Sequence, residues 1–353
     1  MIRTPPSVEP AAREAPRTMR AMPSSALARD PTGSAAPPAL AASVGPGARA
    51  DATRPVAPSE SWETLAALRA LVAAGEVLVL TGAGISTGSG IPDYRDAEGR
   101  LRHARPMMFD RFRDDPEDRR RYWARSHLGW SRLAAARPNR GHLAVTDLQR
   151  AGLLRGVVTQ NVDGLHRAAG TRDVIDLHGR LDTVVCLDCG DRRPRLEVAL
   201  RLDVVNPGFR EGLGPSGERP DGDVVLTDDQ VADFEVVACR RCGGVLKPDV
   251  VFFGEHVPRE RFRRALALLE RSRSLLVLGS SLMVGSGYRF VTAARRRGVA
   301  VAIVNQGVTR GDGSAQVRLF GDLADVLEHV SAHLPGGRPD PDVEVTGSAA
   351  GER

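Results

Sequence analysis

The chain has 353 residues, 42% of them hydrophobic and 26% charged, with three Trp, three Tyr and four Cys. This balance excludes a collagen-like or wholly disordered chain, and no apolar run reaches the roughly 18 residues of a membrane-spanning helix. The net charge is +5, but residues 1–58 hold seven Arg against four acids, so +3 of it sits there and the remainder is near neutral. No nucleic-acid partner and no membrane is expected. Lys247 is the only lysine beside 48 arginines (49 basic residues less one), a skew of composition rather than a binding surface.

Residues 1–58 contain 15 Ala and 11 Pro with no hydrophobic period. Such a segment cannot bury enough apolar surface to offset its ordering entropy, so it is expected to be a disordered tail. Its prolines and acids fit a transit peptide poorly; an idle tail or a misplaced start is favoured, and with it a cytoplasmic rather than mitochondrial protein. Trp62, Leu65, Leu68, Leu71 and Val72 recur at helical spacing, and Gly75 ends that helix. Val77–Thr81 is a short apolar strand; Gly156–Thr159, Ser274–Ser280 and Val299–Asn305 are others. Helical stretches at Asp118–Trp130, His142–Arg150, Glu260–Arg271 and Tyr288–Arg297 separate them. Apolar strands alternating with helices predict an α/β fold, a parallel sheet covered on both faces. Cys186–Cys242 breaks that rhythm and reads as a small inserted module, at about 180–250. Residues 335–353 read as a second loose end, leaving 59–334 as the folded part.

The strand Val77–Thr81 runs into TGAGISTGSGIPDYR (Thr81–Arg95). Small residues after a strand let backbone N–H groups approach a phosphate, although a flexible turn would look similar. The spacing is GxGxxxG, not the dinucleotide GxGxxG, and about 20 residues on the chain reads LRHARPMMF, without the ribose-holding acid of a dehydrogenase. Asp93 and Arg95 lie inside the loop instead, which suggests a lid over a nucleotide.

TQNVDGLH (Thr159–His166) begins where another strand ends, the side of an open sheet that faces ligand. Gln160, Asn161 and Asp163 offer more hydrogen-bonding groups than a turn needs, although Asp163-Gly164 is also ordinary turn chemistry. His178, in DLHGR, is a candidate base, ahead of His166, because an imidazole can take a sugar-hydroxyl proton near neutrality, although a lone His is more often structural.

Cys186-Leu-Asp-Cys189 and Cys239-Arg-Arg-Cys242 are two hooks with 49 residues between them. Four thiolates complete a closed tetrahedral site, so one structural Zn2+ is expected, not a redox pair. Arg192, Arg193 and Arg195 could serve a nucleic-acid-binding ribbon, but Asp188, Asp191 and the acids of 221–233 oppose a basic face.

Together these residues resemble the sirtuin family, the NAD-dependent protein deacylases. The likeness runs from about Trp62 to Leu334 and rests on GAGISTGSGIPDYR, TQNVDGLH, LHG, both CxxC hooks, KPDVVFFGE, GSSLMV and IVNQG. GSSLMVGSGYRF, VNQGVTRGD and the long spacing between hooks most resemble the class II group. The resemblance implies a Rossmann-like domain with a small zinc module, and NAD consumed as a co-substrate between them. It implies that Gly82, Ala83, Gly84, Ile85, Asp93, Tyr94 and Arg95 close over NAD. Gln160, Asn161, Val162 and Asp163 would hold the nicotinamide ribose; Gly279, Ser280, Ser281, Asn305, Gln306, Gly307 and Leu323 would hold the adenosine half. His178, Asn161 and Asp163 would be catalytic, with His178 the general base. Val251, Phe252, Phe253 and Gly254 would pair with the acylated-lysine strand of a protein substrate.

Tyr94 stands where many members have Phe, and Ser280 where many have Thr. GRLRHARP supplies Arg100, Arg102 and Arg105 but no Tyr, which argues against removal of acidic acyl groups. The expected activity is lysine deacylation, by default deacetylation, with transfer of the acyl group to ADP-ribose and release of nicotinamide. Transfer of ADP-ribose to protein and a non-catalytic NAD- or zinc-dependent interaction module stay open as rivals.

Overall fold

The computed structural model describes residues 58–96, 98–101, 106–211 and 224–332. The tails expected at 1–58 and 335–353 lie outside them, apart from Pro58, as do Arg102 and Arg105. Helix α1 (Pro58–Ala73) ends before Gly75, whose φ of 71° needs no Cβ to be avoided. Strand β1 (Val77–Thr81) follows. Next come α2 (Phe109–Asp114), α3 (Pro116–Ala135) and α4 (Arg140–Arg150). Asp115 caps α3 by accepting from the N–H of Glu117 at 2.8 Å, with Pro116 in the first turn; Asn139 caps α4 in the same way through Gly141 at 2.9 Å.

Strands β2 (Leu154–Thr159) and β3 (Val174–Asp176) enclose the short α5 (Leu165–Ala168). Then come β4 (Gly179–Cys186), β5 (Arg192–Pro194), α6 (Arg195–Val205), α7 (Asp228–Val231) and β6 (Leu246–Val250). Helix α8 (Arg259–Leu269), β7 (Ser274–Leu278), α9 (Gly285–Arg296), β8 (Ala300–Val304), β9 (Val317–Leu319) and α10 (Leu323–Ala332) complete the order.

The large sheet is parallel, in the order β3-β2-β1-β7-β8-β9. Alternation along the strands sends side chains to two cores. Val77, Val79, Leu276 and Val304 pack with Leu68 and Val72 of α1, Leu148 of α4 and Leu327 of α10. Leu78, Leu80, Val277 and Ile303 pack with Leu269 of α8 and Phe290 and Val291 of α9. Burial on both faces is why VLVLT and AVAIV are continuous apolar runs rather than alternating ones. The expected α/β fold with a covered parallel sheet is what the chain forms. The strand order reverses between β1 and β7, so their carboxyl ends open a crevice there.

The small module is an antiparallel sheet, β5-β4-β6, braced by α6. Arg192, Arg193 and Arg195 are engaged within the fold. Arg192 pairs with Asp249, Arg193 donates to Asp191 at 2.7 Å, and Arg195 is wholly buried. The Arg195 guanidinium lies 4.6 Å from the Trp123 ring centroid and donates to the Ser126 carbonyl at 3.0 Å, fixing α6 on α3.

The cysteine hooks meet at the end of this sheet. All four sulfurs lie within 4.8 Å of one another, with Cys186 and Cys242 at 3.5 Å and Cys189 and Cys239 at 3.8 Å. A tetrahedral ion about 2.3 Å from each thiolate requires sulfurs about 3.8 Å apart, so the set fits one Zn2+ and leaves no open position.

Beneath the strand ends lies a buried polar plug. Thr81 donates to Thr159 at 2.8 Å, His166 Nε2 lies 3.0 Å from the Thr81 hydroxyl, and the His166 ring meets His142 edge to face at 5.0 Å. Burial pushes His142 down to about 4; burial, with the neighbouring His142, pushes His166 down to about 3. Both rings are therefore neutral in the fold at physiological pH.

Two predictions follow from this packing. Zinc analysis should give one ion per chain, and chelation or Cys186→Ser should remove stability on the order of 10 kcal/mol, melting the module. An unchanged melting temperature in a metal-free protein contradicts this. The folded state also binds fewer protons than the unfolded chain below the ordinary histidine value of 6.5. His166 thus contributes stability that is complete above pH 6.5 and is lost as pH falls towards 3, about 2 kcal/mol of it by pH 5. Burial raises Asp163 and Asp176, which act in the opposite sense, so the comparison is made against His166→Gln. Wild type should lose about 2 kcal/mol more than the variant between pH 7 and 5 in urea melts; parallel losses contradict it.

Candidate active site

The crevice at the reversal of strand order is a cavity of about 1080 Å3. Its floor is made by two turns that follow β1 and β7 and touch backbone to backbone. Gly82 donates its N–H to the Leu278 carbonyl at 3.0 Å, and Gly84 to Gly279 at 2.8 Å. A Cβ on Gly82 would stand 2.8 Å from the Gly279 oxygen, and one on Gly84 would stand 2.8 Å from the Gly279 Cα. Gly279 itself has φ 61°, and a Cβ there would lie 2.5 Å from the Ile85 nitrogen. The glycines are needed for this contact between turns. Asn139 fastens the loop from the other side by donating to the Ile85 carbonyl at 2.8 Å and the Ser89 hydroxyl at 3.0 Å.

The end of β2 supplies the polar wall. Gln160 donates to the Ser280 hydroxyl at 2.7 Å, and Asn161 donates to the Gly82 carbonyl and the Ser86 hydroxyl, both at 3.0 Å. Ser86 donates to the Asp163 carboxylate at 2.7 Å, which also accepts from the Leu165 N–H at 2.9 Å. Asp163 is thus both a turn residue and part of the wall. Burial raises its pKa, and these donors act against the rise.

His178 stands between the end of β2 and the first turn of α9. Its Nδ1 is 2.9 Å from the Gln160 carbonyl and its Nε2 is 2.7 Å from the Ser286 hydroxyl. A carbonyl can only accept, so Nδ1 carries the proton and Nε2 is the free base that accepts from Ser286. Burial, with the charge of Arg261, lowers the ring to about 4 against the raising effect of the Gln160 carbonyl. The imidazole is consequently neutral and basic at physiological pH.

The remaining expected residues fall on the same walls. Ala83, Asp93, Tyr94 and Arg95 line the cavity on the loop side, Arg95 donating to the Gly99 carbonyl at 2.7 Å. Val162 lines it beside Asp163, and Ser280 and Ser281 beside Gly279. Asn305, Gln306, Gly307 and Leu323 close the far end, where Asn305 braces its own turn by donating to the Gly307 carbonyl at 2.8 Å. Val251, Phe252, Phe253 and Gly254 form the opposite rim. The Val251 N–H donates to the His178 carbonyl at 2.8 Å, and the Phe253 carbonyl accepts from the Phe109 N–H at 2.9 Å. Beneath them Phe252 packs edge to face on Phe112 and Tyr122, each at 5.0 Å. Lys247 is buried under this rim, its Nζ 3.0 Å from Glu255 and 4.7 Å from the Phe252 ring centroid.

Ile85 is the exception. It is 2% exposed and packs into the core with α4 and α10 instead of lining the cavity, because the turn of 3-10 helix at Ala83–Ile85 points it inward. Sequence reading also passed over Ser86 and Ser286. Both lay within motifs it quoted, but a serine among glycines carries no mark of the tertiary partner it meets.

Residues 82–286 match the model of the Sir2 family. The chain is 56% identical over 261 residues to NAD-dependent protein deacetylase 1 of Streptomyces coelicolor, covering 74% of this chain and 87% of that protein. It is 50% identical over 251 residues to NAD-dependent protein deacetylase of Xanthomonas campestris pv. campestris, covering 71% and 85%. A solved structure described as "Sir2 bound to acetylated peptide" superposes with a TM-score of 0.58 at 28% identity, covering 75% of this chain and 96% of that one. Identity of this extent over most of both chains, with the family match across the cavity-lining segments, shows that the chain belongs to the Sir2 family.

Proposed function

We propose that this protein is an NAD-dependent protein-lysine deacylase, by default a deacetylase, that moves the acyl group from lysine to ADP-ribose and releases nicotinamide. The observation that carries the reading is His178: a half-buried, neutral imidazole with a fixed tautomer, its basic Nε2 facing the cavity whose floor is the glycine contact. The relatives' names and the acetylated-peptide complex support the same activity. The class II placement rests on GSSLMVGSGYRF, VNQGVTRGD and the 49 residues between hooks.

The residues fit the dinucleotide: the turns at Gly82–Gly84 and Gly279–Ser281 offer small residues to the phosphates, and Asn305–Gly307 with Leu323 take the adenosine end. NAD, when bound, supplies an anomeric carbon that the acyl oxygen attacks as nicotinamide leaves. Gln160, Asn161 and Asp163 orient that sugar, and the Asp163 carboxylate with the Asn161 amide stabilises the positive charge that develops on it. His178 Nε2 takes the proton of a ribose hydroxyl that replaces the Ser286 hydroxyl as its partner. The Gln160 carbonyl holds the Nδ1 proton throughout, so the ring gains its charge next to an acceptor. Val251–Gly254 receives the extended acyl-lysine segment of a protein substrate by strand pairing. The four cysteines hold a structural Zn2+ away from the chemistry. In this reading 59–334 is the catalytic unit, with the zinc module at about 180–250 inserted in it.

His178→Ala should lower the formation of freed lysine and acetyl-ADP-ribose from NAD and an acetyl-lysine peptide by at least about a hundredfold. The melting temperature should be preserved, since the side chain contacts only Gln160 and Ser286 through hydrogen bonds. Turnover retained within a few-fold of wild type would remove the base from its assigned place.

A further inference from the structure

The cavity continues past His178. Beyond Ser286 its wall is formed by α8 and α9, with Phe262 and Leu266 as apolar lining and Arg259, Arg263 and Arg289 around them. Arg289 stands three residues after Ser286 on α9, so the two share a helix face and Arg289 lies one turn from the His178 contact. Its guanidinium carbon rests 4.2 Å from the Phe262 ring centroid, which positions the charge without neutralising it. Arg263 is balanced by Glu260 at 2.6 Å. Among the described residues neither Arg259 nor Arg289 has a carboxylate partner. The nearby wall acid, Glu255, is already held by Lys247 at 3.0 Å and by the Phe252 N–H at 2.8 Å. The result is an uncompensated cationic rim beside an apolar lining.

The glycine turns after β1 and β7 already offer backbone N–H groups to the dinucleotide's phosphates, and neither arginine belongs to those turns. The rim lines the same cavity as the Val251–Gly254 segment, and Arg259 follows Gly254 by five residues. We infer that Arg259 and Arg289 read the target polypeptide, taking a carboxylate side chain next to the acyl-lysine, so that acidic sequence around the modified lysine is preferred and basic sequence disfavoured. This rests on the deacylase reading of the same cavity and adds the substrate class to it.

The test uses the full-length protein with NAD and acetyl-lysine peptides that differ only in Glu or Gln on either side of the lysine. Peptide binding is read by fluorescence anisotropy and turnover by nicotinamide release. The Glu peptide should bind and turn over about threefold to tenfold better, the range of two exposed charge pairs. That ratio should shrink at roughly 0.5 M salt and fall to near one in Arg259→Gln/Arg289→Gln. Equal binding of the two peptides by wild type, or a preference that survives in the double variant, overturns the assignment. A Gln-flanked peptide carrying succinyl-lysine is the second arm. If it gains the arginine-dependent advantage and the Glu flanks do not, the rim reads the acyl chain and the inference fails. A Glu-over-Gln binding difference without any nicotinamide release supports the rim and counts against deacylation alone.

Discussion

The chemistry assigned to this protein depends on keeping one imidazole uncharged and aimed. Taking His178 out of water penalises its charged form and holds it near 4, well below an ordinary histidine. Burial alone would give a neutral ring of undefined tautomer. The Gln160 carbonyl at 2.9 Å removes that freedom, because it accepts only from a protonated Nδ1 and so presents Nε2 as the base. The same strand end that supplies Gln160 also supplies Asn161 and Asp163, so the base and the groups proposed to orient the sugar are fixed by one short stretch of backbone.

That stretch is itself held from below and from the side. The Thr81–Thr159 hydrogen bond ties the ends of β1 and β2 together, and Thr159 accepts from the Asn161 N–H at 3.1 Å. The glycine turns after β1 and β7 then approach so closely that side chains are excluded between them. What results is a crevice with a backbone floor at the point where the strand order reverses, which is where an open α/β sheet can present N–H groups to phosphate. The cysteine hooks act at a distance: they close the small sheet whose strand β6 leads directly into the Val251–Gly254 rim. Cysteine hooks, rim and His178 are therefore connected through the paired strands β4 and β6.

Much of this was legible in the sequence, for identifiable reasons. The central strands β1, β7 and β8 are buried on both faces, so their composition is continuous and apolar, and their bounds were read to within a residue or two. Strands β3 and β9 were not read, because each has three residues at a sheet edge and too little length to show a pattern. Helix α6 was hidden in a segment whose prolines, glycines and charges broke the rhythm, and what secures it is a buried arginine between Trp123 and Trp130. Arg195 looked like a surface charge; only the fold shows it as the largest polar side chain in the core. The cavity residues were read as motifs, and motifs do not state which way a side chain points. Ile85 turns inward for that reason, while Ser86 and Ser286 went unremarked until Asp163 and His178 were seen beside them.

The fold thus gathers a basic nitrogen, an amide, a carboxylate and an extended rim around one cavity, and the central claim is that an acyl group crosses it onto ADP-ribose. Mass spectrometry of the small molecules formed from NAD and a lysine-acetylated peptide tests this most directly. The account predicts one nicotinamide and one acetyl-ADP-ribose for every lysine freed. Free acetate without nicotinamide, or ADP-ribose mass on protein in place of the acetylated small molecule, would contradict it.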